Sequence, residues 1–160
     1  MNHNIRKIFL TLFYVGLIKK APGTFGSIVS LFIALLLLQY LSLSNLFMLC
    51  VLITIVCVKQ IDIYEKYTKQ HDNKEIVIDE LIGMWLTLII ANINIDNMIY
   101  IAPLSLIFFR IFDIYKPSII GKIDKRMQGG WGVMMDDIVA AIFAGICTSG
   151  TFKLIQNFIL

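Results

Sequence analysis

Charged residues and prolines are scarce in this chain of 160 residues. Only 16% of the residues are charged and three are prolines, whereas 58% are hydrophobic and the mean hydropathy is +0.80. Ordinary soluble domains contain about 45–50% apolar and about 25% charged residues. The shortage of charge therefore indicates a membrane protein or an unusually apolar helical core.

Cysteine and histidine are also rare, and they form no recognisable metal or disulfide pattern. Cys50, Cys57 and Cys147 lie in apolar runs, form no Cys-x-x-Cys pair and have no histidine at ligand spacing. We interpret them as small buried hydrophobic residues. A cleavable signal peptide is not expected, because the apolar stretch 8–18 is short and no small-residue cleavage site follows it.

Apolar runs alternate with polar segments along the whole chain. The runs cover residues 25–41, 45–58, 81–95, 98–112 and 138–148. Leu, Ile, Phe and Met dominate them, which predicts helices and an all-α fold. Each run falls short of the ~20 residues of a straight membrane span, so the membrane prediction depends on the set. We expect one domain, residues 1–160, folded as a compact bundle of about four to five apolar helices that cross the membrane several times.

The cations fall on one side of this arrangement. Residues 1–24, 59–80 and 113–137 would share one side, and the turns 42–44 and 92–97 the other. Of the 14 Lys and Arg residues, all but Lys153 lie on the first side: Arg6, Lys7, Lys19, Lys20, Lys59, Lys66, Lys69, Lys74, Arg110, Lys116, Lys122, Lys125 and Arg126. The positive-inside rule assigns that side to the cytoplasm. A soluble bundle with charged loops is the alternative, but no run shows the amphipathic stripe that it requires.

Four polar motifs meet this cytoplasmic side, each beside an apolar helix. They are "KKAPGTFGS" (19–27), "DELIG" (79–83), "FRIFDIYKP" (109–117) and "GGWGVMMDD" (129–137). A charge at the rim of an apolar helix is costly unless it is paired, solvated or used. The motifs are therefore the candidates for a functional site.

Two of the motifs carry adjacent acids. Asp79 and Glu80 begin a helix, where ordinary carboxylates also interact well with the helix dipole. Gly83, one turn on, leaves that face bare for close approach. Asp136 and Asp137 precede a stretch whose small residues permit tight packing of a neighbouring helix. These are Ala140, Ala141, Ala144 and Gly145. Before the acids, Gly129, Gly130 and Gly132 permit a tight loop with unusual backbone angles.

The other two motifs carry cations and possible phosphate donors. Arg110, Asp113 and Lys116 share one face at a helix end, either as a simple ion-pair ladder or as functional groups, and Pro117 stops the helix. In "PGTFGS", the amides at a helix start could bind an anion with donors from the motif, although an ordinary turn explains the motif as well. The candidate substrate-binding residues are Lys20, Gly23, Thr24, Gly26 and Ser27.

Together, the motifs indicate chemistry on a phosphorylated lipid headgroup. Four carboxylates, with Asp113 as a possible fifth, would repel one another at one membrane surface unless a cation lay among them. Oxygen ligands without nearby His or Cys favour Mg²⁺ or Mn²⁺ over zinc. Lys20, Arg110 and Lys116 beside them suit phosphate.

The same segments resemble a known family. "PGTFGS", "DELIGMW", "FRIFDIYKP" and "GGWGVMMDDIVA" are similar, in order and spacing, to the four signature blocks of phosphatidylglycerophosphatase A, from about Lys19 to Gly145. Ser118 and Ile119 stand where the family often has an aromatic residue and a second proline, and Trp131 replaces an aliphatic. The resemblance implies a Mg²⁺-dependent phosphatase of the bacterial cytoplasmic membrane that converts phosphatidylglycerophosphate to phosphatidylglycerol and inorganic phosphate in phospholipid biosynthesis. The expected partners are a phospholipid substrate and the membrane, and no nucleic acid.

On this hypothesis, the acids and the two cations of the other three motifs each have a role. Asp79, Glu80, Asp136 and Asp137 bind Mg²⁺, with Asp113 as a direct or indirect ligand. Arg110 and Lys116 neutralise charge on the phosphoryl oxygens. An Asp nucleophile that forms an aspartyl-phosphate stays open.

Two other classes of protein are the alternatives. A small membrane transport protein would place its acids near mid-helix, whereas these acids lie at helix ends. A phospholipid alcohol phosphotransferase also uses acidic Mg²⁺ sites, but its DGxxAR…GxxxDxxxD spacing is absent.

Overall fold

One short helix forms the centre of the molecule and longer helices surround it. The computed structural model describes residues 1–68, 73–117 and 129–158. In chain order its helices are α1 (His3–Leu10), a 3-10 turn (Val15–Leu17), α2 (Pro22–Leu37), α3 (Leu43–Thr68), α4 (Ile78–Ile90), α5 (Met98–Tyr115) and α6 (Gly129–Phe158). Within these ranges there is no β-strand, so the prediction of an all-α bundle is confirmed.

The central helix is α4, which packs against α2, α3, α5 and α6. Nine of its 13 residues are buried, and the Nε1–H of Trp85 donates a hydrogen bond to the Ser30 carbonyl of α2 at 2.9 Å. At 1.5 Å per residue the helix is about 20 Å long. Its neighbours therefore shield it on all sides along most of its length.

Among the described residues, three helices are long and apolar enough to cross a membrane. They are Leu43–Thr68, Met98–Tyr115 and Gly129–Asn157, while Pro22–Leu37 is apolar but shorter. Only 28%, 22% and 28% of their most apolar windows are buried inside the protein, so most of their apolar surface faces outward. A soluble bundle would have to leave this surface in water, and the chain is therefore a membrane protein.

The helix directions give the bundle two distinct ends. The starts of α2 and α4 and the end of α5 lie together at what we call the pocket end, where Pro22, Asp79 and Lys116 line one cavity. The turns 38–42 and 91–97 lie at the far end. There, paired hydrogen bonds between Asn94 and Asn97, at 2.7 and 3.0 Å, close the turn between α4 and α5.

The last helix begins earlier than the sequence predicts. The tight loop that the glycines before the acids would permit does not form at Gly130 and Gly132, because α6 already begins at Gly129. Of the three, only Gly129 has an unusual backbone angle, a left-handed φ of +72°. A Cβ on Gly130 would overlap the Val58 backbone of α3, and the Gly130 N–H donates to Asp62 Oδ1 at 2.7 Å. Gly130 therefore permits close contact between α3 and α6 rather than a turn.

Several predicted features lie outside the described residues. These are the cations Lys69, Lys122, Lys125 and Arg126 and the positions Ser118 and Ile119. The described cations do separate as expected, since the far-end turns contain no Lys or Arg. Lys153 of α6 is the exception named from the sequence.

Candidate active site

A cavity of about 680 Å³ opens at the pocket end of the bundle. All four motifs contribute to its wall: Pro22 and Gly23 from α2, Asp79 and Glu80 from α4, Arg110, Asp113 and Lys116 from the end of α5, and Gly132, Val133, Asp136 and Asp137 from α6. Residues up to 115 positions apart in the sequence thus meet in one place. The predicted convergence of the motifs is confirmed.

Three carboxylates form the tightest acidic cluster in this cavity. Asp113, Asp136 and Asp137 each offer an oxygen atom, and these atoms lie within 4.8 Å of one another. Asp136 and Asp137 are 7% and 3% exposed, although they lie two turns inside α6. Such close, buried acids repel one another unless cations compensate for them.

One compensating cation is Lys116, whose Nζ lies 2.7 Å from Asp136 Oδ2. Helix α5 ends at Tyr115, and Lys116 follows in the left-handed region with φ of +40°. The residue thus leaves the helical path before Pro117, and its side chain reaches α6. It does not extend an ion-pair ladder along α5.

Arg110 is the other compensating cation, and it joins α5 to α4. Its Nη1 atom lies 2.7 Å from Glu80 Oε1 and 2.8 Å from Asp113 Oδ2. The Ser27 hydroxyl lies 2.8 Å from Glu80 Oε2, to which it can donate, and 3.3 Å from Arg110 Nη1, from which it accepts. Both carboxylate oxygens of Glu80 therefore contact Arg110 or Ser27 of α2. Asp113 contacts Arg110 and also belongs to the acidic cluster.

The acids of α4 have strongly perturbed pKa values. Burial, followed by the charges of Glu80 and Asp136, raises the pKa of Asp79 well above its ordinary value. Burial and the charge of Asp113 raise the pKa of Glu80 to about 7, even though Arg110 opposes the shift. Perturbed carboxyl groups of this kind are typical of functional sites.

Two glycines make room for the charged groups. A Cβ on Gly23 would collide with Glu80 Oε1 and lie 3.2 Å from Arg110 Nη1. A Cβ on Gly83 would lie 2.5 Å from Cε2 of the fully buried Phe109 and 3.4 Å from the Cβ of Asp137. The bare face predicted at Gly83 is therefore confirmed as the place where α4, α5 and α6 meet.

The predicted substrate-binding residues occupy different layers of the structure. Gly23 lines the cavity, and Thr24 is half-buried in the first turn of α2. Ser27 and Gly26 are buried behind that turn, and Ser27 contacts Glu80 and Arg110 from there. Lys20 is exposed before α2 and is not among the described residues that line the cavity.

One charged residue of the cavity wall was not assigned to the site from the sequence. Lys74 lines the wall in the segment that leads into α4. Its side chain is exposed, and within the described part of the chain it makes no ion pair. Arg110 and Lys116 are both paired with acids, whereas Lys74 makes no ion pair with another described residue. In the sequence, only its position five residues before Asp79 connects Lys74 with the site.

The donor set of the acidic cluster fits a hard divalent cation. All of its ligand atoms are carboxylate oxygens, which suit Mg²⁺. The buried Oδ2 atom of Asp137 has no hydrogen-bond partner among the residues that the structure describes. A buried carboxylate oxygen without a donor requires compensation, and a bound cation would supply it.

Comparisons with known proteins agree with this geometry. A sequence model of the family described as phosphatidylglycerophosphatase A matches residues 8–152. Proteins named phosphatidylglycerophosphatase A from Haemophilus influenzae and Escherichia coli are 34% and 36% identical to the chain over 135 and 134 residues. Each alignment covers 82% of this chain, and they cover 78% and 74% of the respective relatives. No solved structure gave a significant match. The chain therefore belongs to the phosphatidylglycerophosphatase A family of enzymes.

Proposed function

We propose that the chain hydrolyses the terminal phosphate monoester of phosphatidylglycerophosphate and releases phosphatidylglycerol and inorganic phosphate. The cluster of Asp113, Asp136 and Asp137, beside cations in one cavity of a membrane protein, is the observation that carries this proposal. We take the substrate from the two relatives, which are both named phosphatidylglycerophosphatase A. Bacterial phospholipid biosynthesis is the corresponding role.

The proposed cofactor is Mg²⁺, held by Asp113, Asp136 and Asp137 with Asp79 nearby. When bound, the ion would polarise the phosphoryl oxygens and lower the pKa of bound water. This assignment differs from the ligand set expected from the sequence, because Asp113 is a direct ligand, Asp79 only lies nearby and Glu80 is left out. Glu80 is paired with Arg110 and Ser27, so we propose that it positions the guanidinium group instead.

The chain's own cations would bind the phosphate. Lys74 is available for direct contact, and Arg110 and Lys116 stand at the cavity wall beside the acids. The first N–H groups of α2 at Gly23 add donors, since the first turn of a helix leaves its amides without internal acceptors. Arg110 and Lys116 neutralise charge that develops on the phosphoryl oxygens during transfer.

The net reaction is a displacement at phosphorus. The oxygen of water bonds to phosphorus, the bond from phosphorus to the glycerol oxygen breaks, and its electron pair stays on that oxygen. A proton that derives from the water completes the alcohol. An aspartyl-phosphate intermediate would divide this displacement into two steps with the same overall balance.

We place the pocket end in the cytoplasm, with the protein in the cytoplasmic membrane. The described turns of the far end carry no Lys or Arg, whereas Arg6, Lys7, Lys19, Lys20 and Lys74 belong to the segments around the pocket. This asymmetry follows the positive-inside rule.

A phosphate-release assay tests the proposal. The purified chain, in detergent with Mg²⁺, should release phosphate from phosphatidylglycerophosphate and much more slowly from phosphatidic acid. Asp113→Asn should abolish the release. Asp96→Asn should not, because Asp96 is an exposed carboxylate at the far end. Equal release by the two variants, or no release by the unchanged chain, would contradict the proposed function.

A further inference from the structure

Three consecutive residues before α2 adopt a backbone conformation that residues other than glycine rarely adopt. Leu12, Phe13 and Tyr14 have φ angles of 47°, 55° and 70°, and each belongs to the left-handed region that disfavours a Cβ. Hydrogen bonds hold this path, among them Phe13 N–H to the Ile8 carbonyl at 2.8 Å and Gly16 N–H to the Thr11 carbonyl at 2.9 Å. The chain thus sustains a strained turn here.

The strained turn separates buried from exposed apolar side chains. We call residues 12–20 the rim segment. Leu12 and the preceding Leu10 are buried in the core, whereas four of the apolar side chains that follow are exposed. The exposed fractions are 76% for Phe13, 50% for Tyr14, 40% for Leu17 and 38% for Ile18. Buried neighbours fix the segment, so its exposed face is rigid and apolar.

The rim segment is attached directly to the wall of the active site. The Val77 N–H donates to the Leu10 carbonyl at 3.0 Å, and Gly16 packs so closely on the Glu75 backbone that a Cβ would overlap it. The segment then continues into Pro22 and Gly23 of the cavity wall. Anything that binds its exposed face is held next to the cavity.

Charge and continuity identify what covers this face. Lys19 and Lys20 are exposed at the end of the rim segment, and lysines beside an apolar patch suit the anionic headgroups of phospholipids. The segment leads into α2, where Phe25 and Phe32 are also exposed. The apolar face therefore joins the outward-facing surface of the bundle, and aromatic residues at that level are typical of the membrane interface.

We propose that the rim segment docks on the surface of an anionic phospholipid bilayer at the mouth of the active site. Its four apolar side chains enter the boundary between headgroups and acyl chains, and its two lysines contact the headgroup phosphates. Docking holds the cavity at headgroup level, so that a lipid phosphate reaches it without leaving the bilayer. This kinetic consequence depends on the proposed function, whereas the docking itself does not.

Spin labels measure the docking without any assay of activity. A label at Phe13→Cys, in a chain whose three native cysteines are changed to alanine, is compared in phosphatidylglycerol-containing vesicles with Leu52→Cys and Lys74→Cys. Leu52 is 58% exposed on α3 and reports lipid, while Lys74 reports water. We expect the Phe13 label to collide with oxygen at least several-fold more than with a water-soluble nickel complex, as at Leu52. Nickel accessibility like that at Lys74, or protection from both reagents by a protein contact, would overturn the proposal.

A kinetic comparison tests the consequence for catalysis. The double variant Phe13→Ser, Tyr14→Ser changes only exposed side chains and should fold. We expect KM for phosphatidylglycerophosphate in vesicles to rise on the order of tenfold, because two aromatic groups no longer bury apolar area, with no change for a short-chain, water-soluble analogue. Equal losses on both substrates would show a merely structural role and overturn the proposal. If the unchanged chain hydrolyses neither substrate, the proposed function fails, and the spin labels still decide the docking.

Discussion

Replacement of Gly83 by alanine should damage both stability and turnover, since this glycine lies where three helices meet. The added Cβ would lie 2.5 Å from Phe109 Cε2, and Phe109 is fully buried. Overpacking of this kind costs about 1–3 kcal/mol, and the upper half of that range applies because a buried ring between helices has little room to move. Because alanine has a higher helix propensity than glycine, the substitution also stabilises α4 by about 1 kcal/mol.

Gly150→Ala is the matched control. Gly150 lies in α6, and a Cβ added there would have no other atom within 4 Å. This variant therefore gains helix propensity without any overlap. The two variants should differ in stability by about 2–3 kcal/mol, or roughly 5–10 °C in melting temperature for a chain of this length. Thermal unfolding in the same detergent measures the difference.

Gly83→Ala should lower turnover as well as stability, whereas Gly150→Ala should leave turnover unchanged. Phe109 precedes Arg110, and the new Cβ would lie 3.4 Å from the Cβ of Asp137, so relief of the overlap displaces charged groups at the cavity. A displacement of about 1 Å can reduce turnover on the order of 10²-fold. Phe109→Leu in the Gly83→Ala background should restore part of both properties. If Gly83→Ala has the same melting temperature as Gly150→Ala and normal turnover, close packing at Gly83 does not position the site.

Further experiments address the metal, the phosphate and the orientation. Asp137→Asn should reduce turnover by orders of magnitude while the metal-free protein melts at the same temperature or higher, because repulsion among the acids falls; loss of folding instead would assign Asp137 a structural role. EDTA should abolish phosphate release, and added Mg²⁺ should restore it. Mg²⁺ should also raise the melting temperature of the unchanged chain but not that of Asp137→Asn. Full activity after exhaustive chelation would exclude the metal. Lys74→Ala should raise KM on the order of tenfold with little change in kcat, as expected for lost charge attraction, and a fall in kcat alone would contradict direct phosphate binding. A membrane-impermeant thiol reagent should label Lys74→Cys from the cytoplasmic side and Ser44→Cys from the opposite side; the reverse pattern would refute the orientation.

The sequence predicts the meeting of the motifs but not the pairing of their charges. Helix ends on one side of a membrane must lie near one another, so four motifs could be assigned to one site from hydropathy and cation placement. Which acid receives which cation depends on how α4, α5 and α6 cross. Glu80 and Arg110 are paired because α4 and α5 pack closely at Gly83. No spacing within either motif contains that information.

The helix boundaries show the same division. The last apolar stretch of the sequence begins after the acids, at residue 138, whereas α6 already begins at Gly129. Its first turns pack against α3 through Gly130, and a contact with a distant helix does not register in local hydropathy. Likewise, Ser27 was expected at the phosphate, but the close approach of α2 to α4 buries it against Glu80.

The short central helix constrains how the protein can enter a membrane during synthesis. At about 20 Å, α4 is shorter than the ~30 Å hydrocarbon layer, and it begins with two acids. Alone in lipid it would leave backbone groups and carboxyl groups without partners. Its insertion must therefore await α5, with which it can form a hairpin through the turn at 91–97 and whose Arg110 compensates Glu80. Helix α6 must follow to complete the packing around α4. A nascent chain that stops after α4 should consequently be a substrate for membrane proteases, whereas one that extends through α6 should escape them.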